Sequence, residues 1–280
     1  MYDVSLGDAA DVMGSWPDNS ADAIVTDPPS GRNMMVPFGG GDSRYLGWDS
    51  PTNRTRANFQ THHRTHLAMR PGFEKQVYPV LEQCSRVLKP GGYGVFWGFQ
   101  SSLHWLMEGL ERAGLPTIDI LIRRLHRRRP KSPLVDGGLS TQLVQETELW
   151  VLARKPGTQQ SSKANHEQWG VGYMQVGEPR LSHLFEGFPV SKHKHDHPAE
   201  KTVGWMRQLV RVVCPPGGVV VDPFCGSGTT GEAAILEGMS FRGVDRDPHW
   251  TGVAESRLQD VSEDEGAFQV LGGCSPMRSP

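Results

Sequence analysis

The stretch VVVDPFCGSGTT, from Val219 to Thr230, constrains the fold more than any other part of the chain. Three valines run into an acid and a proline, then into a tight turn with glycines at Gly226 and Gly228, and then into a helix start. An apolar run with no polar face reads as a strand buried on both sides. Such a strand needs neighbours of the same kind, joined by helices that cover both faces of the sheet. The chain supplies them. ADAIVTD to Asp27 and GGYGVFWG to Gly98 are further apolar runs that stop at an acid or a turn, and PTIDILI, TELWVLA and SFRGVD are three more candidates. Between them KQVYPVLEQCSRVLKPGG, SSLHWLMEGLERAG and EKTVGWMRQLVRVVCPPGG carry apolar residues at helical spacing and stop at glycine or proline. TTGEAAILEGM follows directly from the glycine turn. The expected fold is α/β: an open, mostly parallel sheet with helices on both faces.

The glycine turn also carries chemistry. Without a Cβ, Gly226 and Gly228 let a ligand approach the loop closely, and the N–H groups at the following helix start favour a carboxylate or phosphate. About twenty residues on, GVDRD places Asp245 at the end of the next strand, where an acid accepts hydrogen bonds from a ribose. The spacing differs from GxGxxG, so a dinucleotide is not the expected ligand. In IVTDPPS, Asp27 ends a strand and Pro28 and Pro29 follow. Prolines fix φ and remove donors, so this loop holds its acceptors rigidly.

A net charge of −2 does not mark the whole molecule as a partner of a polyanion, but the distribution of charge does. ILIRRLHRRRPKSP gathers Arg123, Arg124, Arg127, Arg128, Arg129 and Lys131, and NRTRANFQTHHRTH adds Arg54, Arg56 and Arg64. Clustered arginine against a neutral total is the pattern of a local phosphate-binding face. KHKHDHP packs His193, His195, Asp196 and His197 together, but neighbours on an extended chain alternate faces, so a solvated loop is expected and no metal. Cys84, Cys214, Cys225 and Cys274 show no CxxC spacing, which fits reduced thiols in a cytoplasmic protein. No run approaches the roughly 18 apolar residues of a membrane-spanning helix. At 280 residues the chain has the length for one large core. A single domain over 1–260 is expected, with a loop over 30–72, an inserted region over 123–195 and a flexible tail over 261–280.

DPFCGSGTT together with IVTDPPS resembles the amino-methyltransferases of DNA. With the proline-flanked acid N-terminal and the glycine motif C-terminal, the order looks like their circularly permuted beta group. SLGD is similar to the segment whose acid, Asp8, faces the cofactor's adenine. HPAEKTVGWMRQLV is similar to the HPxxKP helix beside the cofactor's methionine, with Thr202 in place of the proline, and GVDRDPHWTGVAESRL to the ribose-binding segment. The resemblance implies a Rossmann-like methyltransferase fold with a mostly parallel seven-stranded sheet. It implies S-adenosyl-L-methionine as cofactor, held by Asp8, Asp27, Lys201, Asp222, Phe224, Cys225, Gly226, Ser227, Gly228, Thr229, Thr230 and Asp245, with Lys201 on the cofactor's carboxylate.

The function so implied is methylation of an exocyclic amine on a base flipped out of double-stranded DNA. Asp27, Pro28, Pro29 and Ser30 form the catalytic segment. The lone pair of an aromatic amine is delocalised into its ring. The Asp27 carboxylate and the Pro28 carbonyl would accept its two hydrogens and free that pair for the incoming methyl group. N6 of adenine is expected ahead of N4 of cytosine, because DPP is commoner among the former enzymes and SPP among the latter. The family usually carries an aromatic at the position of Ser30, so stacking on the base falls to Phe38, Tyr45, Trp48 or Phe99, with Tyr45 and Trp48 favoured. The arginine run and Lys131 are expected on the DNA backbone, within a target-recognition region over 123–195. Relatives of this kind are often dimers and often serve restriction-modification beside a cognate endonuclease, so both partners are among the expectations. The rival readings are a methyltransferase acting on RNA or on glutamine in protein, the latter opposed by Asp27 where those enzymes start with asparagine, and a DNA-binding protein that has lost turnover.

Overall fold

The computed structural model describes residues 1–29, 59–129, 145–188 and 200–270. In chain order the elements are β1 (Tyr2–Leu6), α1 (Ala9–Gly14), β2 (Ala21–Thr26), α2 (Phe59–Val87), β3 (Leu88–Gly98), α3 (Leu103–Arg112), β4 (Thr117–Arg129) and β5 (Gln145–Arg154). They continue with α4 (Ser162–Trp169), β6 (Leu184–Phe185), α5 (Val203–Val213), β7 (Val219–Asp222), α6 (Thr229–Leu236), β8 (Ser240–Asp245) and α7 (Pro248–Val270). The strands form one sheet in the order β1-β8-β7-β2-β3-β5-β4-β6.

From β1 to β3 every pairing is parallel. β5 runs antiparallel to both β3 and β4, and β6 lies parallel to β4. Consecutive residues of β2 show why its sequence is a plain apolar run. All six are buried, with Ala21 and Ile24 in one core and Ala23 and Val25 in the other. One core packs Met13, Phe73, Leu81, Trp105 and Leu110 beneath α1, α2 and α3. The other packs Trp150, Trp205, Leu209, Val210 and Phe241 beneath α5 and α6. β2 and β7 are the neighbours that place the site. The chain leaves β2 through α2 toward β3 on one side, and leaves β7 through α6 toward β8 on the other. Their carboxyl ends therefore border a crevice at a topological switch point.

The expected seven strands are present, and β6 is an eighth, two residues long. Four segments differ from expectation. α2 begins at Phe59, so 59–72 is helix rather than loop, although Pro71 and Pro79 lie inside it. An interior proline removes one helical hydrogen bond, but Phe73, Val77 and Leu81 bury an apolar face that outweighs the loss. β4 runs past its apolar part to Arg129 because the basic stretch pairs with β5, Arg129 opposite Gln145. Residues 155–195, with few apolar repeats, read from sequence as a long loop, yet they contain α4, capped by Ser161, whose hydroxyl accepts from the Ala164 N–H at 3.1 Å. α7 continues to Val270, so the segment expected as a tail from 261 begins as helix, and 271–280 lie outside the described residues. Among the described residues no helix is long and apolar enough to cross a membrane.

Candidate active site

Four acids stand at the carboxyl ends of four neighbouring strands: Asp8 after β1, Asp245 ending β8, Asp222 ending β7 and Asp27 after β2. Their environments differ. Asp8 is the N-cap of α1 and accepts from the Ala10 N–H at 2.9 Å. Asp245 accepts from the Gly226 N–H through Oδ2 and from the Asp247 N–H through Oδ1, both at 2.9 Å, which clips the glycine loop to the end of β8. Each of those oxygens keeps a second lone pair.

Asp222 faces inward. Its Oδ1 accepts from the Thr26 hydroxyl at 2.6 Å and the Phe224 N–H at 3.1 Å, and its Oδ2 from the Thr230 hydroxyl at 2.6 Å. Burial pushes its carboxyl up to about 6, against those three hydrogen bonds, and the nearby charge of Asp27 adds to the rise. Asp222 thereby ties the DPP strand to the glycine loop instead of presenting oxygens to a ligand.

The side chains of the glycine loop also turn inward. Ser227, Thr229 and Thr230 are buried, and Arg257 on α7 donates to the Ser227 carbonyl at 3.1 Å and the Thr229 hydroxyl at 3.0 Å. Gly228 caps α6 at φ 79°, and a Cβ there would lie 3.0 Å from the Ala254 Cβ, so helix α7 packs directly on the turn. The buried Cys225 thiol is pushed well above its usual range by burial and by Asp222 and Asp245, as suits a packing residue rather than a nucleophile. Phe224 packs in part against the core beneath α1 and α2. Residues 225–230 are buried throughout, and Gly226 and Gly228 carry no Cβ.

Asp27 is paired with Lys201, whose ammonium donates to Oδ2. Burial raises the Asp27 carboxyl above its ordinary value, Lys201 opposes that by charge and hydrogen bond, and Glu148 adds to it. Pro28 is buried behind it. The ammonium also lies 4.6 Å from the ring centre of Trp97 and 5.9 Å from that of Trp150. The resemblance assigned Lys201 to a cofactor carboxylate; here it meets the acid of the DPP segment.

Lys201 has pinned neighbours. Glu200 accepts from Arg257 at 2.9 Å, and the Thr202 hydroxyl accepts from Arg123 at 2.8 Å. Three consecutive residues thus connect to the glycine loop, the DPP acid and the base of the arginine strand. Arg257 also pairs with Glu232, and nothing about it was read from the sequence. The signal is there: Thr251, Ala254 and Leu258 form a buried stripe on α7, with an arginine among them. Trp97 was missed because GGYGVFWG reads simply as a core strand.

The arginine run divides. Arg123 is 3% exposed and pairs with Glu148 at 3.0 Å, so it is a core residue and not a DNA contact. Its place on β4 turns it inward between Trp205 and Thr202, a facing that a count of arginines does not reveal. Arg124 is exposed and pairs with Glu186 at 2.9 Å. Arg127, Arg128 and Arg129 form the last part of β4. β4 is parallel in sense to β3, so its basic end projects past the edge that bears Asp27. Phe99 lies just past β3, its ring centre 5.9 Å from that of Trp97. Ser30, Phe38, Tyr45, Trp48, Lys131 and the cluster His193, His195, Asp196 and His197 lie outside the described residues. Among the described residues no group of three or more His, Cys, Asp or Glu is placed to hold a metal.

Residues 21–255 match the sequence profile of a family, N6_N4_Mtase, described as DNA methylase. The type II methyltransferase M.HinfI of Haemophilus influenzae is 31% identical over 78 residues, 28% of this chain and 22% of that one. YubD of Escherichia coli (strain K12) is 23% identical over 261 residues, 91% of this chain and 89% of that protein. The crystal structure of the M1.HpyAVI–SAM complex superposes with a TM-score of 0.60 at 19% identity, covering 92% of this chain and 100% of that one. PvuII DNA methyltransferase, which is cytosine-N4-specific, gives 0.62 at 14% identity over 94% of this chain and 91% of its own. At these identities the two structures share the fold.

Proposed function

The chain belongs to the N6_N4_Mtase family of DNA methylases, and on that premise we propose that it transfers a methyl group from S-adenosyl-L-methionine to N6 of an adenine flipped out of double-stranded DNA. The observation that carries this reading is the meeting of Asp27 and the glycine loop across the switch point, joined by the Thr26–Asp222–Thr230 hydrogen bonds. Two motifs separated by most of the chain are thereby brought to one crevice.

The residues at that edge suit this donor. Gly226 and Gly228 lack a Cβ, so no side chain of theirs hinders a close approach to the turn. The free lone pairs of Asp245 suit ribose hydroxyls. Asp8 is exposed along the same edge. When bound, the donor would supply a methyl carbon on a cationic sulfur, which the amine nitrogen takes as the carbon–sulfur electron pair returns to sulfur. Asp27 would accept one N–H of the amine and the Pro28 carbonyl the other, drawing both hydrogens out of the ring plane and turning the lone pair toward the donor. The same carboxylate is the first acceptor for the proton that nitrogen gives up. Holding amine and donor in one crevice removes the entropy of their encounter, a gain of several kcal/mol, roughly 7 or more in well-oriented systems.

The acid at Asp27 favours adenine, since DPP is the commoner motif of the adenine enzymes; the PvuII relative of the same fold acts on cytosine N4. Modification-sensitive sequencing of DNA from cells expressing the wild type and Asp27→Ala decides between them. The expected result is N6-methyladenine in one short sequence context in the first and none in the second. Methyl groups on cytosine N4 would reassign the base, and unmodified DNA in both would refute the reading.

A further inference from the structure

Asp27 accepts its hydrogen bond from Lys201 through Oδ2 alone; among the described residues Oδ1 has no donor. Lys201 is 13% exposed, has the indoles of Trp97 and Trp150 against its ammonium, and is followed and preceded by residues tied to Arg123 and Arg257. A lysine held from so many sides is placed for a task at that carboxylate, not for reaching across the crevice. We propose that Lys201 is a positioning residue for Asp27, turning the carboxylate through Oδ2 so that Oδ1 is left for the amine, and keeping the group anionic in its half-buried site. This inference rests on the function proposed above and deepens it.

The charges around Asp27 explain why a cation is needed there. From β5 it is faced by Glu148 and from the end of β7 by Asp222, both negative when ionised, and from the segment before α5 by Lys201. Glu148 is bound to Arg123 and Asp222 to two threonines, and as like charges both disfavour an ionised Asp27. Remove Lys201 and Asp27 loses the cation paired with it, while burial and Glu148 still raise its carboxyl. The neutral acid form then gains, and a neutral Asp27 is a weaker acceptor for an amine hydrogen.

The test is a carbon-13 NMR titration of the Asp27 carboxyl in the full-length protein without donor or DNA, the signal assigned by its loss in Asp27→Asn. Lys201→Met should move the titration midpoint upward, and Lys201→Arg should leave it near the wild-type position. Lys201→Gln keeps a donor without the charge; it should share the upward shift yet retain more kcat than Lys201→Met. In methylation assays the acid limb of kcat should follow the same shifts, while the dissociation constant for S-adenosyl-L-methionine by calorimetry stays unchanged. A midpoint equal in wild type and Lys201→Met overturns the proposal. So does a weakened donor affinity with an unmoved midpoint, which assigns Lys201 to the donor. Because the titration needs neither donor nor DNA, a wild type that methylates nothing would overturn the proposed function while leaving the pairing to stand or fall on its own.

Discussion

Arg257 sends its guanidinium into the protein, to Glu232, to Glu200 at 2.9 Å, to the Ser227 carbonyl at 3.1 Å and to the Thr229 hydroxyl at 3.0 Å. Its side chain is 2% exposed and that of Glu200 3%, so water screens this network little. Arg257→Met removes the cation that Glu232 and Glu200 share, and Glu232 keeps its charge in a largely buried site. The expected loss is about 3–5 kcal/mol in urea unfolding, the cost of an uncompensated buried charge. Lys163→Ala is the control, because Lys163 and Glu167 are 82% and 65% exposed and 3.9 Å apart. It should change stability by less than about 0.5 kcal/mol. Equal effects from the two variants would show that the Arg257 network is not structural.

At the scale of elements, the β4–β5 hairpin is the departure from an all-parallel sheet. Its inner part is core: Leu121 opposite Trp150 and the Arg123–Glu148 pair are buried. Its outer part continues to Arg129, and five residues beyond Arg124 span about 16 Å at the usual rise of a strand. That reach extends past the edge where Asp27 lies, as a duplex-facing arm would. Replacing Arg127, Arg128 and Arg129 by alanine should weaken DNA binding. It should also flatten the dependence of log affinity on log salt by up to about 0.9 for each DNA phosphate that the variant no longer neutralises. Affinity measured across a salt series, with an unchanged slope, would rule out the arm as a backbone contact. Arg123→Ala should act on stability instead.

At the scale of the molecule, Asp222 joins the two halves of the chain, since Thr26 and Asp222 are 196 residues apart in sequence and 2.6 Å apart across the sheet. Its folded carboxyl titrates at about 6 because of burial, against about 4 in an unfolded chain. Between those values the native state holds a proton that the unfolded state has released, so stability from this group falls as pH rises. Relative to Asp222→Asn, the wild type should lose on the order of 2 kcal/mol of unfolding free energy between about pH 4 and pH 6. Parallel stability curves for the two proteins over that window would contradict the raised value.

The layered α/β architecture and the two motifs of the crevice are legible in local stretches of the chain. Apolar runs without a polar face demand burial on both sides, and glycine and paired prolines act on their own backbone, so these signals are local. They suffice for the strands ending at Thr26, Asp222 and Asp245 and for the helix after Gly228. What each charge meets depends on packing across the folded chain. Arg123 and Arg124 are adjacent in sequence, yet one is buried against Glu148 and the other exposed beside Glu186. Adjacent residues of a strand face opposite sides, and which side is the core depends on packing partners far away in the chain. Lys201 likewise finds Asp27, 174 residues distant, because the strand order sets β2 beside β3 and α5 packs against both.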